Sequence, residues 1–247
     1  MRDDPSAPLD SLLHATAEGN PSDSSMNKLV GGVHKFQKEI FGQQKELFER
    51  LATRQEPDTL FITCSDSRIN PALLTQSEPG DIFILRNAGN IVPPYGAAPA
   101  SGEAATIEFA VAALGVKDII VCGHSHCGAM KALMDPSVAS ELPSMQRWLQ
   151  HAEITRVIVR EKYQDRQPEH LVNVCIMENV LAQLENLRTH PSVAAKLATG
   201  SVRLHAWVYK LETGEVFNYE PEAGQFVPVS NPDRTALPAR HRERLGT

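Results

Sequence analysis

No hydrophobic run in this chain is long enough to cross a bilayer. The longest, such as Asp118-Ile119-Ile120-Val121-Cys122, are the length of a strand. There is no excess of positive charge either: 24 Lys and Arg stand against 30 Asp and Glu, a net charge of −6, which argues against a nucleic-acid footprint. The opening Met1-Arg2-Asp3-Asp4-Pro5 has no charged segment leading into an apolar one, so no signal peptide is expected. Four cysteines in 247 residues do not make a disulfide framework. No Cys-x-x-Cys pair is present, which removes a thiol redox module, and the G-x-G-x-x-G order of a dinucleotide site is missing around Gly123 and Gly128. No internal repeat is visible. What remains is a protein without a membrane span, expected in a reducing cytoplasm.

The 42% hydrophobic content supports one good-sized core. Residues 1–25 are rich in Ser, Asp, Pro and Ala and are expected to form a flexible leader; the polar stretch 230–247 is expected to be a flexible tail. The domain proper is then 26–229. From Asn27 to Gln55 the spacing of Leu29, Val33, Phe36, Ile40, Leu47 and Leu51 predicts an amphipathic helical arm, with a break or kink available at Gly42. Phe41 and Phe48 add a second apolar stripe, more than one core-facing helix needs, so the arm is expected to cover a partner subunit as well.

Further along, the period alternates. Thr59–Cys64, Asp81–Arg86 and Asp118–Cys122 read as short buried strands, with helices at Ser101–Leu114, from Gly128, and at Glu169–Arg188. Val202–Leu211 and Val216–Tyr219 read as a hairpin at one edge of the sheet. Strands interleaved with helices predict an α/β fold around a central parallel sheet.

Two short segments carry chemistry. Cys64-Ser65-Asp66-Ser67-Arg68 ends the first predicted strand, and His124-Ser125-His126-Cys127 leaves the third. Ligands of a parallel α/β sheet collect at the carboxyl ends of strands, so both segments belong at one site. Two thiolates and an imidazole are three ligands for zinc, and three protein ligands with an open fourth position mark a catalytic site. His124 and Cys127 are three apart and can converge on one ion, whereas His126 and Cys127 are adjacent and cannot easily do so. His124 is therefore assigned as the ligand, and His126 as a loop histidine or a proton carrier. Cys127 precedes a helix whose positive end should favour its thiolate.

Two thiolates neutralise a zinc dication, which acidifies its water less than a three-histidine site does; activity should rise on the alkaline side of neutrality. Asp66 has two roles open to it. Bound to zinc it fills the fourth position, and paired with Arg68 it is held off the metal, free to orient a hydroxide. Cys122 and Cys175 are expected to be small core residues, and Arg86-Asn87-Ala88-Gly89-Asn90 to wall the site.

At these residues the chain resembles a β-class carbonic anhydrase. The likeness rests on Cys64–Arg68, on Glu78-Pro79-Gly80-Asp81 leading to Arg86–Asn90, and on Gly123–Gly128. It extends through Glu178–Gln183 and His205–Tyr209, covering roughly residues 28–228. The resemblance implies that family's fold: a four-stranded parallel sheet extended by an antiparallel edge strand, with flanking helices, in a homodimer or higher homo-oligomer. It implies reversible, zinc-dependent hydration of carbon dioxide to bicarbonate and a proton by a zinc-bound hydroxide. One zinc per subunit would sit on Cys64, His124 and Cys127, joined by Asp66 when the site is closed, with Asp66 and Arg68 as the catalytic dyad.

By the same resemblance, Gln55 and Phe109 line the substrate pocket, Gln55 often across the dimer interface, and the Gly128 amide holds a substrate oxygen. Gln55, together with Phe61 where the bicarbonate-inhibited type usually has tryptophan, favours the open type. Gly123–Met130 is also similar to cyanobacterial carboxysomal members, but this chain largely lacks their long C-terminal extension, so carboxysome association rests on that motif alone. Two other functions fit the scaffold: hydrolysis of carbon disulfide or carbonyl sulfide, and a non-catalytic bicarbonate-sensing or assembly role.

Overall fold

A run of β-branched and apolar residues makes Thr59–Cys64 a central strand, β1. Every residue after Thr59 is buried in the computed structural model, which describes residues 21–97, 101–165 and 167–229. Near-continuous burial is expected of a parallel strand covered on both faces. β1 pairs in parallel with β2 (Ile82–Asn87) on one side and β3 (Asp118–His124) on the other. β3 pairs in parallel with β4 (Arg203–Tyr209). Cys64 and His124, the last residues of adjacent strands, therefore leave the sheet at the same end.

The period-2 alternation of these strands sorts two cores. Leu60, Ile62, Ile119 and Val121 join the larger cluster with Ile176 and Val180, while Phe61, Ile120 and Cys122 face the other way with Ile69. Each fully buried Leu, Ile or Phe contributes about 1.5–3 kcal/mol. The larger core is closed by α5 (Gly128–Met134), α7 (Glu153–Lys162) and α8 (Pro168–Arg188), the last of which contacts both β3 and β4. Earlier and intervening helices are α3 (Pro71–Thr75), α4 (Gly102–Glu108) and α6 (Pro143–Leu149), with α9 (Pro191–Ala198) after α8. A side chain at Gly123 would place its Cβ 2.8 Å from Val180 Cγ2, so glycine is what lets α8 lie this close over β3, one residue before His124.

The sheet differs from expectation at its far edge. The hairpin partner β5 (Val216–Glu220) is not the last strand: β6 (Gln225–Pro228) adds to it antiparallel, giving the order β2-β1-β3-β4-β5-β6. Four residues ending in proline carry little strand signal, and proline is tolerated only at such an edge. The helix predicted at Ser101–Leu114 is α4 followed by a π-helical turn at Phe109–Ala113. Ser101 caps it by accepting the Ala104 N–H at 3.1 Å.

Among the described residues, 21–54 form a separate unit. Its α1 (Pro21–Lys35) runs into a π-helical turn at Phe36–Phe41, breaks at 42–44, and resumes as α2 (Lys45–Leu51). The break falls at Gly42, where the sequence offered one. Phe41 and Phe48 stack at 5.1 Å between centroids, and Phe36 meets both edge-on, so the second apolar stripe is partly spent on an aromatic cluster within the arm. Met26, Leu29, Val33, Phe36 and Ile40 remain exposed. Of the expected leader only residues 21–25 are described, where they open α1; the expected tail 230–247 lies outside the described residues.

Candidate metal centre

Cys64, His124 and Cys127 converge: their ligand atoms lie within 4.8 Å of one another, and all three residues are buried. The His124 Nδ1 lies 2.8 Å from the Ser125 carbonyl. A carbonyl can only accept, so Nδ1 carries the proton and the lone pair is left on Nε2. That Nε2 is buried without a hydrogen-bond partner. A buried polar atom left unpaired costs about 1–3 kcal/mol, and a cation between the three donors would satisfy it.

The two sulfurs make the same point through their protons. The Cys64 thiol is pulled well below its ordinary range, first by the hydrogen bond from Cys127 and then, against burial, by His124 and the Gly89 amide. Cys127 is pushed up, first by the neighbouring Cys64 sulfur and then by burial. The amides of Met130 and Ala129 at the start of α5 work in the expected direction for Cys127 but are outweighed. Two buried sulfurs this close share one proton, and a dication is what lets both ionise. Two thiolates and one neutral imidazole are a zinc donor set, so the residues present fit that metal.

Beside this cluster, Asp66 and Arg68 form a two-pronged ion pair. Arg68 Nε donates to Asp66 Oδ1 at 2.9 Å and Nη2 to Oδ2 at 2.7 Å, while the Arg68 backbone N–H also donates to Oδ1 at 3.0 Å. These bonds hold the Asp66 carboxyl far below the usual carboxylate range. Even so clasped, Asp66 Oδ2 stands 3.8 Å from His124 Nε2. Of the remaining predicted residues, Gly128 opens α5 directly after Cys127. Gln55 is exposed, and Phe109 is half exposed with its ring 6.0 Å from Phe83. No hydrogen bond joins either to the cluster. Cys122 and Cys175 are fully buried, and burial pushes both thiols up to about 12.

The Arg86–Asn90 segment, expected to wall the site, also holds it in shape. Arg86 on β2 donates to three carbonyls of the loop after β1: Nε to Cys64 at 3.0 Å, and Nη2 to Asp66 at 2.8 Å and to Ile69 at 3.0 Å. The Gly89 N–H donates to Cys64 Sγ at 3.3 Å. Gly89 has φ +84°, and a Cβ there would stand 2.9 Å from the Cβ of Ala129, so no other residue fits that approach without displacement.

The loop bearing Gly89 is gripped in turn by amides along α8. Asn179 Nδ2 donates to the Gly89 carbonyl at 3.1 Å, Gln183 Oε1 accepts the Val92 N–H at 2.8 Å, and Asn186 Nδ2 donates to the Val92 carbonyl at 2.8 Å. Gln183 Nε2 donates to Asn179 Oδ1 at 2.9 Å and links the row. Trp148 Nε1 adds a bond to the Ala88 carbonyl at 2.7 Å. The signal in the sequence was the row of polar residues at positions 179, 183 and 186, spaced to share one face of a helix.

The matches to known proteins agree with this centre. A family model described as carbonic anhydrase matches residues 59–216, the span that contains all three donors and the ion pair. A carbonic anhydrase of Synechocystis sp. is 48% identical over 203 residues, covering 82% of this chain and 74% of that one. Among solved structures, the β-carbonic anhydrase CcaA superposes with a TM-score of 0.80 at 48% identity, over 83% of this chain and 99% of its own. One of two tetrameric β-carbonic anhydrases from Sordaria macrospora superposes with a TM-score of 0.55 at 28% identity, over 80% and 94% of the two chains. Fold, donor set and sequence point the same way, and the chain belongs to the carbonic anhydrase family, in its β class.

Proposed function

We propose that this protein hydrates carbon dioxide reversibly to bicarbonate and a proton, with one zinc ion per subunit held by Cys64, His124 and Cys127. The observation that carries this is three buried donors, one of them an unpartnered imidazole nitrogen, beside a carboxylate clasped by a guanidinium. Zinc bound by three protein ligands supplies a Lewis acid and lowers the pKa of a coordinated water.

The chain's own groups divide the remaining work. Cys64 and Cys127 supply two negative charges that balance a dication. Asp66 is ionised at any pH near neutrality, which makes it a poor proton acceptor and a good hydrogen-bond acceptor; its task is to orient the attacking water. Arg68 keeps both Asp66 oxygens engaged and so would leave a metal held by Cys64, His124 and Cys127 open to water, the open arrangement. The Gly128 amide, at the start of α5, holds a substrate oxygen, and Phe109 lines the pocket. Gln55 is assigned to complete a partner's pocket, and its exposure on its own subunit supports that assignment. The proton leaves to solvent buffer.

A cytoplasmic homodimer completes the proposal. Four free cysteines, two of them metal donors, suit a reducing compartment. The exposed apolar side chains of the arm, and Ile84 on the edge strand β2, are surfaces a second copy would cover. Hydrolysis of carbon disulfide or carbonyl sulfide, and a purely bicarbonate-sensing role, find no support in the family or its relatives.

The test is stopped-flow hydration with zinc analysis on wild type and Cys64→Ser. The wild type should hold one zinc per chain and turn over carbon dioxide, and the variant should do neither. Full activity in a zinc-free Cys64→Ser would sink the assignment.

A further inference from the structure

The turn between β4 and β5 carries a carboxylate that reaches back to the loop between His124 and Cys127. Glu212 Oε2 accepts from the Ser125 hydroxyl at 2.6 Å, and Oε1 accepts from His126 Nε2–H at 3.0 Å. Ser125 Oγ in turn accepts the Leu211 N–H at 2.9 Å, and the Ser125 N–H donates to the Tyr209 carbonyl at 2.9 Å. Two consecutive loop residues are thus fixed to β4 and its turn.

His126 has φ +56°, a left-handed conformation uncommon for a residue other than glycine. In that conformation its carbonyl accepts from Arg68 Nη2 at 3.1 Å. The same Nη2 donates to Asp66 Oδ2 at 2.7 Å, so the guanidinium is held from both sides. One side is local to the Asp66 loop. The other depends on His126, 58 residues away, and His126 is held by Glu212, 86 residues further on.

We infer that Glu212 is a positioning residue for the Asp66–Arg68 pair: it fixes the left-handed turn at His126, whose carbonyl anchors the Arg68 guanidinium and thereby the Asp66 carboxylate. Glu212 touches neither the metal donors nor the dyad itself. The inference rests on the reaction proposed above. It assigns the β4–β5 turn a part in that reaction through Arg68 alone, and this makes it separable from a general contribution to folding.

The experiment is a cycle of Glu212→Ala and Arg68→Ala in the zinc-loaded protein, with Glu215→Ala on the same turn as a control. Glu212→Ala should keep its zinc and lose on the order of tenfold in kcat/KM for carbon dioxide, carried by kcat. In the Arg68→Ala background the same change should cost less than about twofold, because the residue it acts through is gone. Glu215→Ala should match wild type. Glu212→Gln keeps an acceptor for Ser125 and should fall between, and it provides the comparison if the alanine variant does not fold.

Unchanged activity in Glu212→Ala, or an equal tenfold loss with and without Arg68, overturns the inference. Crystal structures of the wild type and of Glu212→Ala, or of Glu212→Gln in its place, give a readout that needs no activity: Arg68 should leave the His126 carbonyl, and an Arg68 that does not move overturns the inference as well. A wild type that does not hydrate carbon dioxide would defeat the proposed function, and the crystallographic arm would still decide Glu212.

Discussion

Asp66 Oδ2 stands 3.8 Å from His124 Nε2 while Arg68 holds both oxygens of the same carboxylate. The carboxylate is therefore next to the metal donors yet committed elsewhere, and the strength of that commitment decides whether the fourth position is open. Arg68→Ala removes both guanidinium bonds and leaves the Asp66 carboxylate the backbone N–H of residue 68 and, in the loaded protein, the cation. Activity should fall by on the order of 100-fold, with zinc retained. A crystal structure of the variant should show Asp66 moved onto the metal. Arg68→Lys offers a point charge without the two-pronged fork and should rescue only part of the loss. Near-wild-type hydration by Arg68→Ala would show that the clasp is not needed.

The shared proton between the two sulfurs gives a second measurable quantity. Cys64 is pulled down and Cys127 pushed up by the same contact, so the metal-free pair carries one proton at neutral pH. Chelation should yield a protein that takes zinc back with release of about one proton, not two. Calorimetric titration in buffers of different ionisation enthalpy reads that number directly. Removing the metal should also lower the melting temperature, since binding to the folded state alone stabilises it. Release of two protons at neutral pH would mean that the sulfurs are independent.

Much of this centre was legible in the sequence because ligand chemistry is sparse and strand ends are predictable. Cys64 and His124 each follow a buried apolar run, and a parallel sheet brings such ends together. What holds the centre was legible only in part: the polar row on α8 and the Arg86–Asn90 segment could be seen, but not the groups they bond to. Asn179, Gln183 and Asn186 bond to main-chain groups of Gly89 and Val92, and a backbone partner leaves no trace in residue type. Arg86 serves three carbonyls in the same way. β6 was missed because four residues ending in Pro228 have no period to read. In the arm, Phe41 and Phe48 read as a second stripe but stack on each other and meet Phe36 of the first.

The amide row on α8 should matter to stability as well as to the site. Asn179→Ala leaves the Gly89 carbonyl and Gln183 Nε2 without the partner they have now, inside a buried region. Unmade bonds of this kind cost about 1–3 kcal/mol. For a chain of this size, each kcal/mol lowers the melting temperature by about 2–4 °C. Scanning calorimetry should show that drop, and zinc affinity should weaken because Gly89 positions the amide on Cys64 Sγ. A variant that melts and binds zinc like wild type would mean that water takes over the role of Asn179.

At the opposite end of the sheet, Asp118 offers a test of acid stability remote from the metal. Its carboxylate accepts Arg203 Nε and Nη2, each at 2.8 Å, and His205 Nε2 at 2.7 Å. The Arg203 hydrogen bonds, followed by that from His205, hold its pKa below the ordinary carboxylate value. A folded-state value below the unfolded one means that the unfolded chain binds the proton first as pH falls. The stabilisation is thus fully present above the unfolded pKa of about 3.9 and is lost as pH drops through it toward the folded value. Asp118→Asn removes the titration and keeps the shape. Its unfolding free energy, measured by urea denaturation from pH ~6 downward, should start below wild type and decline less steeply below pH ~5. Parallel curves for the two proteins would mean that the ion pair on β3 and β4 contributes nothing to the acid limb.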